Sequence, residues 1–139
     1  MRGNITFTMI KPTAMSRGYA GHILCRITDA GFKFSAMKLV RLSKDQAAAF
    51  YAVHQGKPFY NSLVEFMSSG PIIAAILEKE NAVAEYRKLI GNTDPQKAEK
   101  GTIRYDFGTN LQANAVHGSD SDDNANIEAD FFFSKLERY

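Results

Sequence analysis

Six consecutive apolar residues, Ile72-Ile73-Ala74-Ala75-Ile76-Leu77, follow Gly70-Pro71. A run that short with no polar member reads as a buried strand, so this chain must build a sheet and the cover that hides it. The other strands read by alternation. Ile5, Phe7 and Met9 interleave with Asn4, Thr6 and Thr8, which predicts a first strand with one buried face, ended by Lys11-Pro12. Phe32, Phe34 and Ala36 alternate, slip phase at Met37 and continue through Leu39 to Leu42, a long second strand with a bulge. The segment from Ile127 to Phe133 ends in Phe131-Phe132-Phe133 and is apolar enough to predict a final strand.

Helices fall between these strands. Ala20, Ile23, Leu24 and Ile27 form one stripe that stops at Gly31. Ser43-Lys44-Asp45-Gln46 is a capping box that opens a helix through Phe50. A short helix is expected around Ser62 to Met67, closed by Ser68-Ser69-Gly70-Pro71. Asn81 caps another, with Val83, Tyr86, Leu89 and Ile90 inward and Gly91 after it. From Asn92 to Ala113 the pattern fades into a long turn-prone loop, a length that usually serves function or subunit contacts. The order matches an α+β, ferredoxin-like βαββαβ arrangement: an antiparallel four-stranded sheet covered by helices, with a long loop before the segment around His117.

At 139 residues the chain is long enough for a real core and short for two, so one domain over residues 1–139 is expected. Its 17 basic and 15 acidic side chains give a net charge of +2, which argues against a dedicated nucleic-acid binder with a basic face. The lone Cys25 permits no intrachain disulfide, and a cytoplasmic setting fits. Met1-Arg2-Gly3-Asn4 run into the first strand with no apolar signal region, and no window approaches the roughly 20 apolar residues of a membrane span. His22, His54 and His117 are scattered, so no metal-ligand spacing appears, and there is no glycine-rich phosphate loop. Phosphate binding, if any, must come from side chains.

The window Asn114-Ala115-Val116-His117-Gly118-Ser119-Asp120-Ser121 gathers the chemistry. A neutral imidazole carries a lone pair able to attack phosphorus, and the glycine after it leaves backbone open to a bulky anion. Cations stand elsewhere: Lys11 in Thr8-Met9-Ile10-Lys11-Pro12, Arg87 in the segment Tyr86 to Pro95, and Arg104 in Gly101-Thr102-Ile103-Arg104. With Ser69-Gly70-Pro71 these motifs span nearly the whole chain, and together they resemble the nucleoside diphosphate kinases.

That resemblance implies a ferredoxin-like fold and ping-pong transfer of a terminal phosphate between a nucleoside triphosphate and a diphosphate. It makes His117 the nucleophile and phosphohistidine, with Gly118 keeping the approach clear, and gives Glu128, at the start of the expected final strand, the role of orienting the ring. Lys11 contacts the transferred phosphate and sugar hydroxyl, and Tyr51 lies beside the lysine and histidine. Arg87, Arg104 and Thr93 take the phosphates, and Asn114 donates its amide to the sugar 3′ hydroxyl or a phosphate oxygen. Ser119 hydrogen-bonds the orienting carboxylate. Phe59 stacks on one base face and Leu111 packs on the other, with Leu63 nearby; stacking tolerates any base, ribo or deoxyribo. Magnesium arrives with the nucleotide, with Asp120 reaching it through water. A closed homo-oligomer, tetramer or hexamer, is implied, with Pro95 in the turn that meets neighbouring subunits.

Three departures stand out. Thr13-Ala14 follow Lys11-Pro12 where an acidic residue is usual, Tyr105 replaces a smaller residue and can crowd the phosphates, and the tail stops early at Tyr139. Tyr105 is also the one feature that favours a rival reading, a nucleotide sensor without turnover.

Overall fold

The computed structural model describes residues 3–139. The expected run from Met1 and Arg2 into the first strand lies outside the described residues. Four strands, β1 (Ile5–Ile10), β2 (Lys33–Val40), β3 (Ile72–Glu78) and β4 (Val116–Gly118), form one sheet in the order β2-β3-β1-β4. Every neighbouring pair is antiparallel. The apolar run sits at β3, between β2 and β1, and five of its six residues are buried.

Seven α-helices accompany the strands among the described residues: α1 (Pro12–Ser16), α2 (Ala20–Asp29), α3 (Lys44–Phe50), α4 (Tyr60–Met67), α5 (Ala82–Ile90), α6 (Ile103–Phe107) and, after the last strand, α7 (Asp122–Phe132). They divide the core in two. On one face Phe7, Met9, Ala74 and Ile76 pack against α3, α4 and α7 through Ala47, Met67, Ala129 and Phe132. On the other, Ile10, Ala75 and Leu77 pack against α2 and α5 through Ile23, Ile27, Tyr86 and Ile90. This is why the alternation at β1 misleads. Thr6 and Thr8 point into the second layer and are as buried as Phe7 and Met9, so β1 has two buried faces.

The chain end departs most from expectation. Residues 127–133 belong to α7 and its C-cap, and the fourth strand is the three-residue β4 at His117. The helix wins for local reasons: Ser121 Oγ accepts the amide of Asn124 as N-cap, and Asp122 and Asp123 stand in the positive first turn. Ala125, Ala129 and Phe132 then share one inward stripe, while Ile127 and Phe131 face out. Three phenylalanines in a row gave a false strand signal because Phe131 lies outside the core that holds Phe132 and Phe133.

Smaller differences have equally local causes. The register shift in β2 falls between Phe34 and Ala36, earlier than Met37. Asn81 occupies the N-cap position of α5 with φ of 56° and makes no side-chain cap bond. The 92–113 segment is not one loop, because Asp94 caps a 3-10 turn at Pro95–Lys97 and Thr102 caps α6. The Ser43–Gln46 capping box forms as read. Among the described residues no helix is long and apolar enough to cross a membrane.

Gly91 closes α5 at φ of 86°, and a Cβ there would lie 2.6 Å from Thr102 Oγ1. Both the left-handed backbone and the contact demand glycine. Gly91→Ala is expected to cost about 1–3 kcal/mol, measurable as a lower urea midpoint at unchanged slope.

Candidate active site

The pairing of β4 with β1 places His117 opposite Met9 and Val116 opposite Ile10. The Lys11 amide continues the ladder by donating to the Ala115 carbonyl (2.9 Å). Lysine and imidazole therefore arise two register positions apart on neighbouring strands, whose backbones run about 5 Å from each other. The imidazole points to the α3/α7 side, where Phe7 and Phe50 flank it at ring distances of 6.0 and 5.8 Å. Nearly two turns into α7, Glu128 faces back across this gap. Its Oε1 accepts Nε2–H of His117 (2.9 Å) and the Ser119 hydroxyl (2.7 Å), and Ser119 Oγ in turn accepts the Phe7 amide. A carboxylate on Nε2 sets the proton there, so the neutral ring carries its lone pair on Nδ1. The ring keeps about 20% of its side-chain surface exposed and lines the cleft.

Two cavities meet at this ring and share Lys11, Tyr51, His54, Thr93, Asn114 and His117. One, of about 430 Å³, runs out past Leu63 to exposed Phe59 and Leu111. The other holds Arg87, Arg104, Asp120 and Glu128. Between them the two contain every expected site residue except Ser119, which reaches the site through Glu128.

The polar groups in the cleft are short of partners. Lys11 is buried, and among the described residues its Nζ donates only to the Gln112 carbonyl, at 3.3 Å. Burial, and secondarily the charge of Arg104, lowers its pKa to about 7. The Tyr51 hydroxyl, Arg104 Nε and Asn114 Oδ1 are buried without a hydrogen-bond partner among the described residues. Burial and then Glu128 push the Tyr51 phenol upward, so it stays a proton donor. Arg104 is lowered to about 10, chiefly by burial, and remains charged at neutral pH. Unpaired buried polar atoms each cost free energy, and several around one cavity mark the outline of a polar ligand.

The model for nucleoside diphosphate kinases matches residues 4–138. The nucleoside diphosphate kinase of Flavobacterium psychrophilum is 54% identical over 139 residues, all of both chains. Nucleoside diphosphate kinase 1 of Protochlamydia amoebophila is 51% identical over 133 residues, 96% of this chain and 94% of that one. Among solved structures, a crystal form of the Aquifex aeolicus nucleoside diphosphate kinase superposes with a TM-score of 0.95 at 45% identity, covering 98% of this chain and 99% of its own. The Halobacterium salinarum enzyme in complex with CDP gives 0.94 at 39%, covering 99% and 91%. The chain belongs to the nucleoside diphosphate kinase family. Its activity is that of a nucleoside-diphosphate kinase.

Against the family expectation, five residues behave differently in detail. Arg104 is no free fork, since Nη1 donates to the Gly91 carbonyl (3.1 Å) and Nη2 to Val116 (2.9 Å), leaving Nε and the second hydrogens for a ligand. Asn114 spends one amide hydrogen on the Thr93 carbonyl (2.9 Å), which leaves the second hydrogen as a donor and its buried Oδ1 as an acceptor suited to a hydroxyl. Gly118 does border the cleft, yet a Cβ on it would meet Ile90 Cδ1 at 2.8 Å and Tyr86 Cδ2 at 3.2 Å, so packing against α5 demands the glycine. Tyr105 is 45% exposed and lines neither cavity, which removes the expected crowding and the support for a sensor. Glu128 reaches the ring from a helix, not from the start of a strand.

Sequence reading missed His54, Gln112 and Phe50. His54 follows Tyr51 by three residues in a 3-10 turn, a spacing that stacks one ring over the other (6.3 Å, 22°), and its edge braces Phe59. That spacing was the available signal. Gln112 had none, because its role depends on a side-chain bond to Ser62 across the cleft mouth.

The displaced Lys11 titration has a stability consequence. With a folded pKa near 7 against 10.5 unfolded, the unfolded chain binds more protons between those values, so this group's destabilisation is full below pH 7 and vanishes as pH rises toward 10.5. Lys11→Met is therefore expected to stabilise the nucleotide-free protein by roughly 1–3 kcal/mol below pH 7. The gain fades in alkali, as thermal melts across pH will register.

Proposed function

We propose that the transfer runs through a phosphohistidine at His117. Nδ1 attacks the terminal phosphorus of a nucleoside triphosphate, an N–P bond forms as the bridging P–O bond breaks, and the diphosphate leaves. A second diphosphate then attacks the same phosphorus through a terminal oxygen, and the N–P bond breaks. What supports this reading above all is that the unprotonated nitrogen of a carboxylate-held imidazole borders the same cleft as a buried lysine and three unpartnered polar groups.

The side chains then take complementary parts. Glu128 holds the proton on Nε2 and offsets the positive charge that develops on the ring, and Ser119 steadies Glu128. Lys11, Arg87 and Arg104 neutralise phosphate charge, with Thr93 and the Tyr51 hydroxyl as donors. Asn114 Oδ1 accepts from the sugar. Phe59 and Leu111 sandwich the base while Leu63 closes the floor, contacts without hydrogen-bond readout that suit any base, ribo or deoxyribo.

Glu128 is engaged by His117 and Ser119, and the remaining charged side chains of the cleft are Lys11, Arg87, Arg104 and, at the rim, Asp120. A magnesium ion fits only as part of the nucleotide, held by its phosphates, with Asp120 at the rim in reach through water. Bound there it would screen phosphate charge and orient the chain of phosphates. The assignment extends to residues 1–139 acting as one kinase domain in the cytoplasm, within a closed homo-oligomer of four or six subunits.

His117→Ala is expected to abolish both transfer and the acid-labile label acquired from γ-labelled triphosphate; a variant that transfers at the normal rate overturns the mechanism. Glu128→Gln replaces an obligate acceptor by an amide that can donate, which permits the wrong tautomer. Its kcat should fall by at least about tenfold with small change in KM. Chelation of magnesium should stop turnover and be reversed by adding the metal back.

A further inference from the structure

We propose that Thr8 and Tyr86 form a hydroxyl relay that positions His117 from the face of the sheet opposite its imidazole. The relay rests on His117 being the phosphoryl acceptor, and it adds two positioning residues to that reaction. Thr8 Oγ1 donates to the His117 carbonyl (2.8 Å) and lies 2.6 Å from the Tyr86 hydroxyl. A threonine has a single hydroxyl proton. Since Thr8 gives it to His117, Tyr86 must be the donor in the second bond, and the chain runs one way, from α5 to the strand that bears the nucleophile.

The surroundings hold this chain in place. Tyr86 is fully buried and Thr8 nearly so. The Phe32 ring meets Tyr86 edge-on at 5.5 Å, and bare Gly118 lets the tyrosine ring close against β4. Burial pushes the Tyr86 phenol upward, which keeps it protonated and donating.

The relay has a partner further along the same helix. At the end of α5 the Gly91 carbonyl accepts Arg104 Nη1, whose Nη2 donates to the Val116 carbonyl. α5 is thus fastened to consecutive carbonyls of β4, at Val116 and at His117, and Arg87 projects into the cleft from between the two fastenings. Helix, phosphate arginine and imidazole are thereby set in one register. In-line attack depends on placement to a fraction of an ångström, so loosening the relay should act on the chemical step more than on nucleotide binding.

The test is the single-turnover rate of phosphohistidine formation at saturating triphosphate, with KM and Tm measured on the same proteins. Thr8→Val is expected to slow that step roughly three- to tenfold, the worth of one buried hydrogen bond, with KM held within about twofold. Thr8→Ser, which keeps the hydroxyl, should recover most of the rate. Tyr86→Phe, nearly isosteric and safe for folding, should slow it roughly two- to fivefold in the wild-type background and not at all when added to Thr8→Val. A purely structural role would lower Tm and leave the rate of the folded enzyme unchanged. Wild-type rate in folded Thr8→Val, or in Tyr86→Phe should the threonine variant not fold, overturns the relay. His117→Ala separates the two ideas: if it still takes up phosphate the nucleophile assignment fails, whereas an inert His117→Ala beside an unimpaired Thr8→Val sinks the relay alone.

Discussion

Everything at the site follows from a strand only three residues long. Val116–Gly118 pairs with the far half of β1, and that register decides that His117 stands next to the strand that ends in Lys11. Helix α7 follows at once, so its Glu128 can reach back to the ring, and α5 packs beneath so that Arg87 and Arg104 approach from the other side. A shift of one residue would turn the imidazole into the α2/α5 layer and leave the lysine facing a valine.

Maintaining such a cleft is costly to the folded state. A lysine held with its charge disfavoured, a phenol, a guanidinium nitrogen and a carboxamide oxygen are all buried without adequate partners. An apolar lining would make a more stable protein. The arrangement makes sense as preorganisation: groups already stripped of water and aimed at one volume stabilise charge there without reorganising when it develops. The two tightly filled core layers on either face of the sheet are what carry this deficit.

Much of this was readable before any coordinates. Periodicity located three strands and four helices, because each pattern was local and its caps were explicit, as at Ser43–Gln46 and Gly31. Motif resemblance located the cleft residues. The failures share a cause. β4 is too short to show a period, and its pairing is set by β1 a hundred residues away. The final phenylalanines imitate a strand because the buried side of α7 is written in alanines, which carry little hydrophobic signal. Thr6 and Thr8 looked solvent-facing, and only the second helical layer reveals them as interior. The finer roles of Arg104, Asn114 and Gly118 depended on carbonyls and side chains that no spacing rule specifies.

One oxygen of Glu128 receives both the ring and the serine hydroxyl, and neither bond involves the nitrogen proposed to carry phosphate. The proton on the far side of the imidazole consequently has no reason to move during either half of the cycle. A catalyst lowers the barrier equally in both directions, so the protein imposes no preference for forward over reverse flow. The ratio of triphosphates to diphosphates in the surrounding solution sets the direction, and the catalyst serves as an equilibrator of nucleotide pools.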